Sequence, residues 1–541
     1  MTNGKQELGR HRRDPWLLIL MVLLLAAAVR TLIAANTYVI STDAERFLPI
    51  ADLIRGGNFA TALSDDFHPL YPALMAGLSL LTGLDLEKCG VIISIVLGSL
   101  TIVPVYFITR ELFSPLAGIL AALVLAFNSF SAEKSANIMS EGATIFLMLC
   151  GAWALLWGVR RANLTYVAAA GALSGLAYLT RPEGLGIVLA GCVYLIICRK
   201  TSLTNRARIG GIALALAACV VFAGPYAVYL GVKNPGGFDI VLTQKKSVLQ
   251  LLGLRPKPTV PQEAGSDSKA ERKKLEKALY MKDAEPRNPV QQVADILLEF
   301  TRTFGPLGVA ALIGVIVLFA TRGRTWGNAW LLLLVGLYGA VNVLLSVNIY
   351  SAQGASKRHI LLVVTFCIPW AGYGMERFVL WSRTLLSHRM PLTRATLAPL
   401  VFLALAFAVI WIFMLGPRRE GQLTVRYAGE VIRAQGVQSP LIMTGESRIP
   451  YYAGGKLVSM PDNVKATPEM FLSYLKLRNV KFVVVSEDYW SSFKFLDPGQ
   501  YDQNNLELLK ERADEAAVLK QYGVKTKLRN HDRYIIYKVK Y

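Results

Sequence analysis

The sequence predicts a polytopic α-helical membrane protein of about eleven spans with a soluble α/β domain at its C-terminal end. Three observations carry this. Of 541 residues, 53% are hydrophobic and only 18% charged, where a soluble chain carries about a quarter charged. Apolar runs near twenty residues, roughly the length that crosses a bilayer core, recur between residues 16 and 415. Past Pro417 the composition turns polar, and helix-like and strand-like runs alternate, the pattern of a small α/β domain.

The first span opens on GRHRRDPWLLILMVLLLAAAVR. A basic flank before an apolar run resembles a signal peptide, but the spans that follow make it an uncleaved signal-anchor. Spans are expected at 16–36, 88–110, 115–131, 141–159, 164–180, 182–199, 207–231, 303–321, 327–347, 358–381 and 394–415. Arg10, Arg12, Arg13, Arg110, Arg160, Arg161, Arg199, Lys200, Arg206, Arg208, Arg322, Arg324 and the Arg383–Arg394 stretch then share one side, which positive-inside bias makes cytoplasmic. This places residues 1–15 inside. It places 37–87, 132–140, 181–183, 232–302, 348–357 and 416–541 outside, as expected of a protein in a bacterial-type inner membrane. The apolar stretch Pro69–Gly83 is too short to span comfortably and is expected at the outer interface.

The net charge of +21 suggests nucleic acid at first sight. Much of the excess sits in short inner loops, where it sets topology and meets anionic headgroups, so no nucleic acid partner is expected. The six cysteines fall in or at the edge of apolar runs and read as small core residues. Loop 232–302 is long, with a Lys-rich centre. Such loops are either lids or connectors. In the C-terminal part, helices are expected at Val425–Gln435, towards Tyr452, at Thr467–Leu477 and at Leu506–Tyr522. Strands are expected at Leu441–Thr444, Val480–Ser486, Val524–Leu528 and Tyr534–Val539. The domain holds no glycine-rich phosphate loop, which favours a supporting role over a second active site.

The chemistry is sought in Ile40–Leu74, the first stretch outside the membrane after the first span. It carries Asp43, Glu45, Asp52, Asp65, Asp66 and His68, and acidic groups beside lipid are costly without a task. Most of these charges have an ordinary alternative as a solvated loop. Asp43 sits just past the outer end of the first span, where a carboxylate partly withdrawn from water becomes a useful proton acceptor. Glu141 begins the fourth span on the same side, and is equally an ordinary helix-dipole partner. Arg30 lies inside the first span, about two turns from its outer end. It either snorkels or faces the same cavity and binds an anion. Arg181, Lys357 and Arg358 lie at outer helix ends, against the positive-inside tendency. Outward cations there suit phosphate recognition or headgroup anchoring. Asp43 and Glu141 could together supply oxygen ligands to Mg²⁺ or Mn²⁺, but no cofactor is firmly indicated.

Together these pieces resemble the C-type glycosyltransferases (GT-C), and within them the branch of protein O-mannosyltransferases and the lipid A aminoarabinose transferase. Asp43-Ala44-Glu45-Arg46-Phe47 followed by IADLIRGG is similar to the family's D-E-x-x-Y segment, with Ala44 at the second acidic position. His68-Pro69-Leu70-Tyr71-Pro72 resembles its H-P-P-L-Y stretch. Ser140-Glu141, Leu179-Thr180-Arg181-Pro182-Glu183-Gly184 and Lys357-Arg358-His359-Ile360-Leu361-Leu362 resemble its outer-end patterns. The resemblance covers about residues 15–415. It implies transfer of a sugar from a polyprenyl-phosphate donor, such as an undecaprenyl phosphate, to a lipid, glycan or protein acceptor outside the membrane, with inversion. Asp43 would be the general base. Arg181, Arg358, Lys357 and Arg30 would hold the leaving phosphate. Glu45, His68, Tyr71 and Glu141 would orient acceptor or sugar, and a metal is not expected to be needed. The rival class is a lipid or glycolipid transporter or flippase. It calls for charges inside spans and for paired broken helices. Arg30 is the clearest such charge, and no internal repeat is visible.

Overall fold

A computed structural model describes residues 15–65, 67–198, 202–233, 288–320, 326–348, 357–388, 390–414, 422–460, 467–486, 494–497, 501–510, 521–522 and 534–540. The chain divides into two compact units. Among the described residues the first holds 15–34, 50–233 and 288–414, and the second holds 35–49 and those from 422 onward.

The first unit is helical, and it makes this a multi-span membrane protein. Its helices are α1 (Trp16–Ala35), α2 (Ala44–Arg55, shared with the second unit), α3 (Phe59–Leu63), α4 (Leu70–Thr82), α5 (Leu86–Leu100), α6 (Ile102–Leu112), α7 (Pro115–Ala126) and α8 (Ser129–Ser135). There follow α9 (Glu141–Arg161), α10 (Leu164–Tyr178), α11 (Gly186–Ile197), α12 (Asn205–Lys233), α13 (Pro289–Phe304), α14 (Gly308–Ala320), α15 (Trp326–Asn348), α16 (Lys357–Ser387) and α17 (Leu392–Met414). Many start where the sequence places a cap. Asp85 takes the Lys88 N–H, Ser114 the Ala117 N–H ahead of Pro115, and Asn128 the Ser131 N–H.

All eleven expected spans are helical, and they differ in length. Eight helices among the described residues are long and apolar enough to span, and α7 with α8 makes a ninth bent by 63°. The remaining two, Leu164–Tyr178 and Pro182–Ile197, are shorter apolar helices, as is Leu70–Thr82. Small residues explain how α10 still packs tightly. A Cβ on Gly171 would lie 2.0 Å from the Ala215 carbonyl oxygen, and one on Gly175 would lie 2.7 Å from that of Cys219. The α10 and α12 backbones therefore touch, which only glycine permits. The span expected at 303–321 starts earlier: Asn288 caps Val290 and the helical run extends from Val290 to Ala320. The rest of the expected loop, 234–287, lies outside the described residues, as do Arg10, Arg12, Arg13, Arg199, Lys200, Arg322 and Arg324.

The C-terminal part of the second unit is a five-stranded sheet with helices on both faces. Helices α18 (Leu423–Arg433), α19 (Arg448–Ala453) and α20 (Pro468–Leu477) alternate with β1 (Leu441–Thr444), β2 (Lys456–Ser459), β3 (Phe482–Ser486), β4 (Leu506–Lys510) and β5 (Tyr534–Val539). The order is β2-β1-β3-β5-β4, with β1 parallel to β2 and β3 and β5 antiparallel to β3 and β4. Met443, Val483, Val485, Ile535 and Tyr537 face Phe471, Tyr474 and Leu475 of α20. Ile442, Phe482, Val484 and Ile536 face Val425, Ala428 and Ile432 of α18 and Ile449 of α19. A strand covered on both faces reads as a continuous apolar run, as Phe482-Val483-Val484-Val485 does.

One expectation here is corrected and one strand is added. Leu506–Lys510 is a strand, not the start of a helix, with Leu506 opposite Val539 and Leu508 opposite Tyr537. Leu, Glu and Lys favour helix in isolation, but pairing with β5 decides the conformation. Lys456–Ser459 forms an edge strand that its short, half-polar sequence did not signal. Val524–Leu528 lies outside the described residues.

Candidate active site

The first unit gathers charge where α9, the turn after α10, and α16 meet. Glu141 opens α9 with its carboxylate in the first turn, and the side chain is buried. Arg181 follows α10 in a turn fixed by backbone bonds: Arg181 N–H donates to Ala177 O (2.9 Å) and Gly184 N–H to Arg181 O (3.0 Å). The Ser174 hydroxyl donates to Gly184 O (2.7 Å). A Cβ on Gly184 would lie 2.3 Å from the Ala177 carbonyl carbon, so the tight return requires glycine. Pro182 then starts a short 3-10 turn, Pro182–Leu185.

The side chains form an alternating series. Arg358 Nε donates to Glu141 Oε1 at 2.5 Å, and Arg181 Nη1 lies 3.7 Å from the same oxygen. Arg181 turns its fork to Glu183, Nη2 to Oε1 at 2.9 Å and Nε to Oε2 at 3.4 Å. His359 Nε2 stands 3.7 Å from Glu183 Oε1. Tyr338 of α15 donates its hydroxyl to Glu183 O (2.9 Å), and Asn342 Nδ2 donates to Tyr338 O (2.7 Å) and His359 O (3.3 Å). Two guanidiniums thus face two carboxylates, with the carboxylates deeper: the side chains of Glu141 and Glu183 are 5% and 13% exposed, those of Arg181 and Arg358 17% and 27%. Groups buried this far persist only when paired. Glu141 Oε2 has no hydrogen-bond partner among the described residues.

His68 lies under this turn. The Leu70 N–H donates to Leu179 O (2.8 Å), tying the His68 loop to the end of α10. The imidazole sits edge-on to Tyr178 (4.9 Å, 88°) and near Tyr226 (5.3 Å, 66°). Neither ring nitrogen has a well-formed hydrogen bond among the described residues. Burial pushes its pKa down to about 4, so the ring is neutral near pH 7.

The other sequence candidates fall elsewhere. The Tyr71 hydroxyl bonds Gly90 O (3.0 Å) and Ser94 Oγ (2.7 Å), joining α4 to α5. Arg30 is fully buried in α1 and donates Nη1 to Ala26 O (3.1 Å), while Nε and Nη2 have no partner among the described residues. It packs beside Gly98 of α5, and Gly98 packs against Gly142, the residue after Glu141. The Lys357 side chain lies outside the described residues. Asp43 and Glu45 belong to the second unit. The Asp43 carbonyl accepts the Arg46 and Phe47 N–H groups at 3.0 Å each, opening α2. Burial raises the Glu45 carboxyl above the usual carboxylate range, against a lowering hydrogen bond from Ser447. Among the described residues no three His, Cys, Asp or Glu side chains are grouped to hold a metal ion. Glu183, His359 and Tyr338 were not singled out for a role. Glu183, two residues past Arg181 in T-R-P-E-G, was the available signal.

The fold is that of the GT-C membrane glycosyltransferases. The chain superimposes on ArnT from Cupriavidus metallidurans bound to undecaprenyl phosphate with a TM-score of 0.56, at 13% identity, over 96% of this chain and 97% of that one. The oligosaccharyltransferase of Archaeoglobus fulgidus, tethered to an acceptor peptide, matches with a TM-score of 0.56 at 13% identity, over 89% of this chain and 70% of that one. The mycobacterial arabinofuranosyltransferase AftD matches with a TM-score of 0.50 at 12% identity, over 97% of this chain and 40% of that one. At these identities the likeness is one of fold. By sequence, residues 67–223 match the model of the dolichyl-phosphate-mannose-protein mannosyltransferase family, a stretch that holds His68, Glu141, Arg181 and Glu183. No curated protein matches the chain by sequence.

Proposed function

We propose that this protein is an integral-membrane glycosyltransferase of a bacterial-type inner membrane, moving a sugar from a polyprenyl-phosphate donor to an acceptor hydroxyl on the outer face. The observation that supports this most is the meeting of Arg181 and Arg358 on one buried carboxylate, Glu141, within a chain of GT-C fold. Asp43 takes the proton of the acceptor hydroxyl as its oxygen attacks the anomeric carbon. The bond from that carbon to the phosphate oxygen breaks, and the electron pair leaves on the polyprenyl phosphate. One displacement inverts the anomeric centre. Arg181 and Arg358 stabilise the charge growing on the leaving phosphate. Glu141 and Glu183 act as positioning residues that aim the guanidinium forks.

The direct test gives the purified protein a panel of undecaprenyl-phosphate-linked radiolabelled sugars with a membrane lipid extract as acceptor source. One donor should release free undecaprenyl phosphate and label a product. Movement of the lipid-linked sugar across proteoliposomes, with no release from any donor, would instead support a transporter.

Orientation has its own test. Under the proposed topology the C-terminal domain lies outside the cytoplasm. A cysteine at Asn505, partly exposed just before β4, should react with an impermeant probe on intact cells. Reaction only after permeabilisation would place Asp43 and the arginines on the wrong face for an outward donor.

A further inference from the structure

Residues 38–41, between α1 and Asp43, adopt neither helix nor strand. Val39, Ile40 and Ser41 are buried, and the Ser41 carbonyl accepts the Ala44 N–H at 3.1 Å. Buried backbone outside regular structure still needs hydrogen-bond partners, and side chains can supply them. In the second unit it is met by the α/β sheet's own helices. The Ile40 N–H donates to the Tyr452 hydroxyl at 2.9 Å. The Ile40 carbonyl accepts a longer contact, 3.4 Å, from Arg448 Nη1. The Tyr38 carbonyl is met at 3.4 Å by Arg426 Nη1.

These three side chains are themselves held. Arg448 is 4% exposed and grips Glu446 at both oxygens, Nε to Oε1 and Nη2 to Oε2 at 2.7 Å each, while Nη1 donates to Gln422 Oε1 at 2.7 Å. The Arg426 guanidinium lies 5.6 Å from the centre of the Tyr452 ring and donates Nε to Glu430 Oε1 at 3.0 Å. Tyr452 is thus packed on one side by Arg426 and bonded on the other to the chain leading to Asp43. Two residues past Ser41, the Asp43 carbonyl opens α2. The conformation of that lead-in sets where α2 begins, and with it where the Asp43 carboxylate points.

We infer that Tyr452 and Arg448, with Arg426 behind them, are positioning residues for the glycosyl transfer, fixing the Asp43 segment from the C-terminal α/β domain. This gives that domain a part in catalysis without a site of its own. It rests on the reading of Asp43 as the base. A shift of about 1 Å in a reacting group costs up to about 100-fold in rate, so a side chain remote from the reacting atoms can matter this much.

The test uses the full-length protein and two mild variants. Tyr452→Phe keeps the ring and removes the hydroxyl that Ile40 bonds. Arg426→Gln, at a half-exposed position, removes the cation packed on that ring. Tyr452→Phe should speed amide hydrogen exchange in a peptide covering residues 36–44 while β1 and β3 keep their protection. Turnover at saturating donor should fall on the order of 10- to 100-fold with donor Kd unchanged, and Arg426→Gln should give the same pattern more weakly. Unchanged exchange at 36–44 in both variants overturns the inference, whatever Asp43 does. So does faster exchange with normal turnover, or a loss of donor affinity matching the loss of turnover. Failure of the underlying reading shows separately, as full turnover by Asp43→Asn.

Discussion

Asp43→Asn should lose about 10²–10⁴-fold in turnover, the contribution of a positioned general base, while donor affinity holds. That range corresponds to about 3–5 kcal/mol of transition-state stabilisation. The substitution keeps size, shape and one side-chain oxygen but cannot take the acceptor's proton. The fold should tolerate it. Asp43 opens α2 through its backbone carbonyl, which receives the Arg46 and Phe47 N–H groups, and Asn starts a helix as well as Asp does. A merely structural Asp43 therefore forecasts the opposite result, a change of a few tenths of a kcal/mol and normal kinetics. Glu45, two residues on, provides the internal comparison. Its carboxyl is raised by burial, which would suit a base, so Glu45→Gln is the control that must do much less. Near-normal turnover by folded Asp43→Asn at saturating donor would remove Asp43 from the mechanism. A large loss in Glu45→Gln instead would move the base to Glu45, and the acid limb of the pH–rate profile should then lie above the ordinary carboxylate value of about 4.3.

Much of this was legible because membranes simplify sequence. Backbone in lipid must be helical, so every apolar run that was long enough to notice is helical. What the apolar runs do not encode is length against thickness. Leu164–Tyr178 and Pro182–Ile197 read as spans, yet each is shorter than its neighbours, because a single tight turn built on Arg181-Pro182-Glu183-Gly184 separates them. In the α/β domain, β3 was readable from its unbroken Phe482-Val483-Val484-Val485 run. Leu506–Lys510 was not, since its strand conformation depends on β5, nearly thirty residues later. The site follows the same division. Arg181 and Arg358 stood out as cations at the wrong end of spans. Glu141 stood out too, but as a contact for acceptor or sugar, since only the fold brings Arg358 to it. The packing of residues 35–49 with the C-terminal domain was equally hidden. Three of its hydrogen bonds run to backbone groups, which leave no residue-type signature.

Arg358→Ala should weaken donor binding about 10- to 150-fold, the equivalent of the roughly 1.5–3 kcal/mol that a charge-assisted hydrogen bond contributes. Arg358→Lys should recover part of it, since an ammonium offers a point charge where the guanidinium offers a fork. Arg181→Ala should behave similarly. The ion pair with Glu141 complicates the reading, because removing Arg358 also leaves a buried carboxylate whose next guanidinium, that of Arg181, stands 3.7 Å away. Breaking such a pair from one side is itself destabilising, by about 3–5 kcal/mol where burial is complete, and Arg358 at 27% exposure falls below that. A second substitution separates the two effects. Glu141→Gln in the Arg358→Ala background removes the orphaned charge at nearly constant shape, so thermal stability should return towards that of the parent protein. Donor affinity should stay low in this double variant if Arg358 holds the phosphate. If affinity returns together with stability, Arg358 serves only to neutralise Glu141, and the phosphate must be sought beside Arg181 or the two Arg30 nitrogens that have no partner among the described residues.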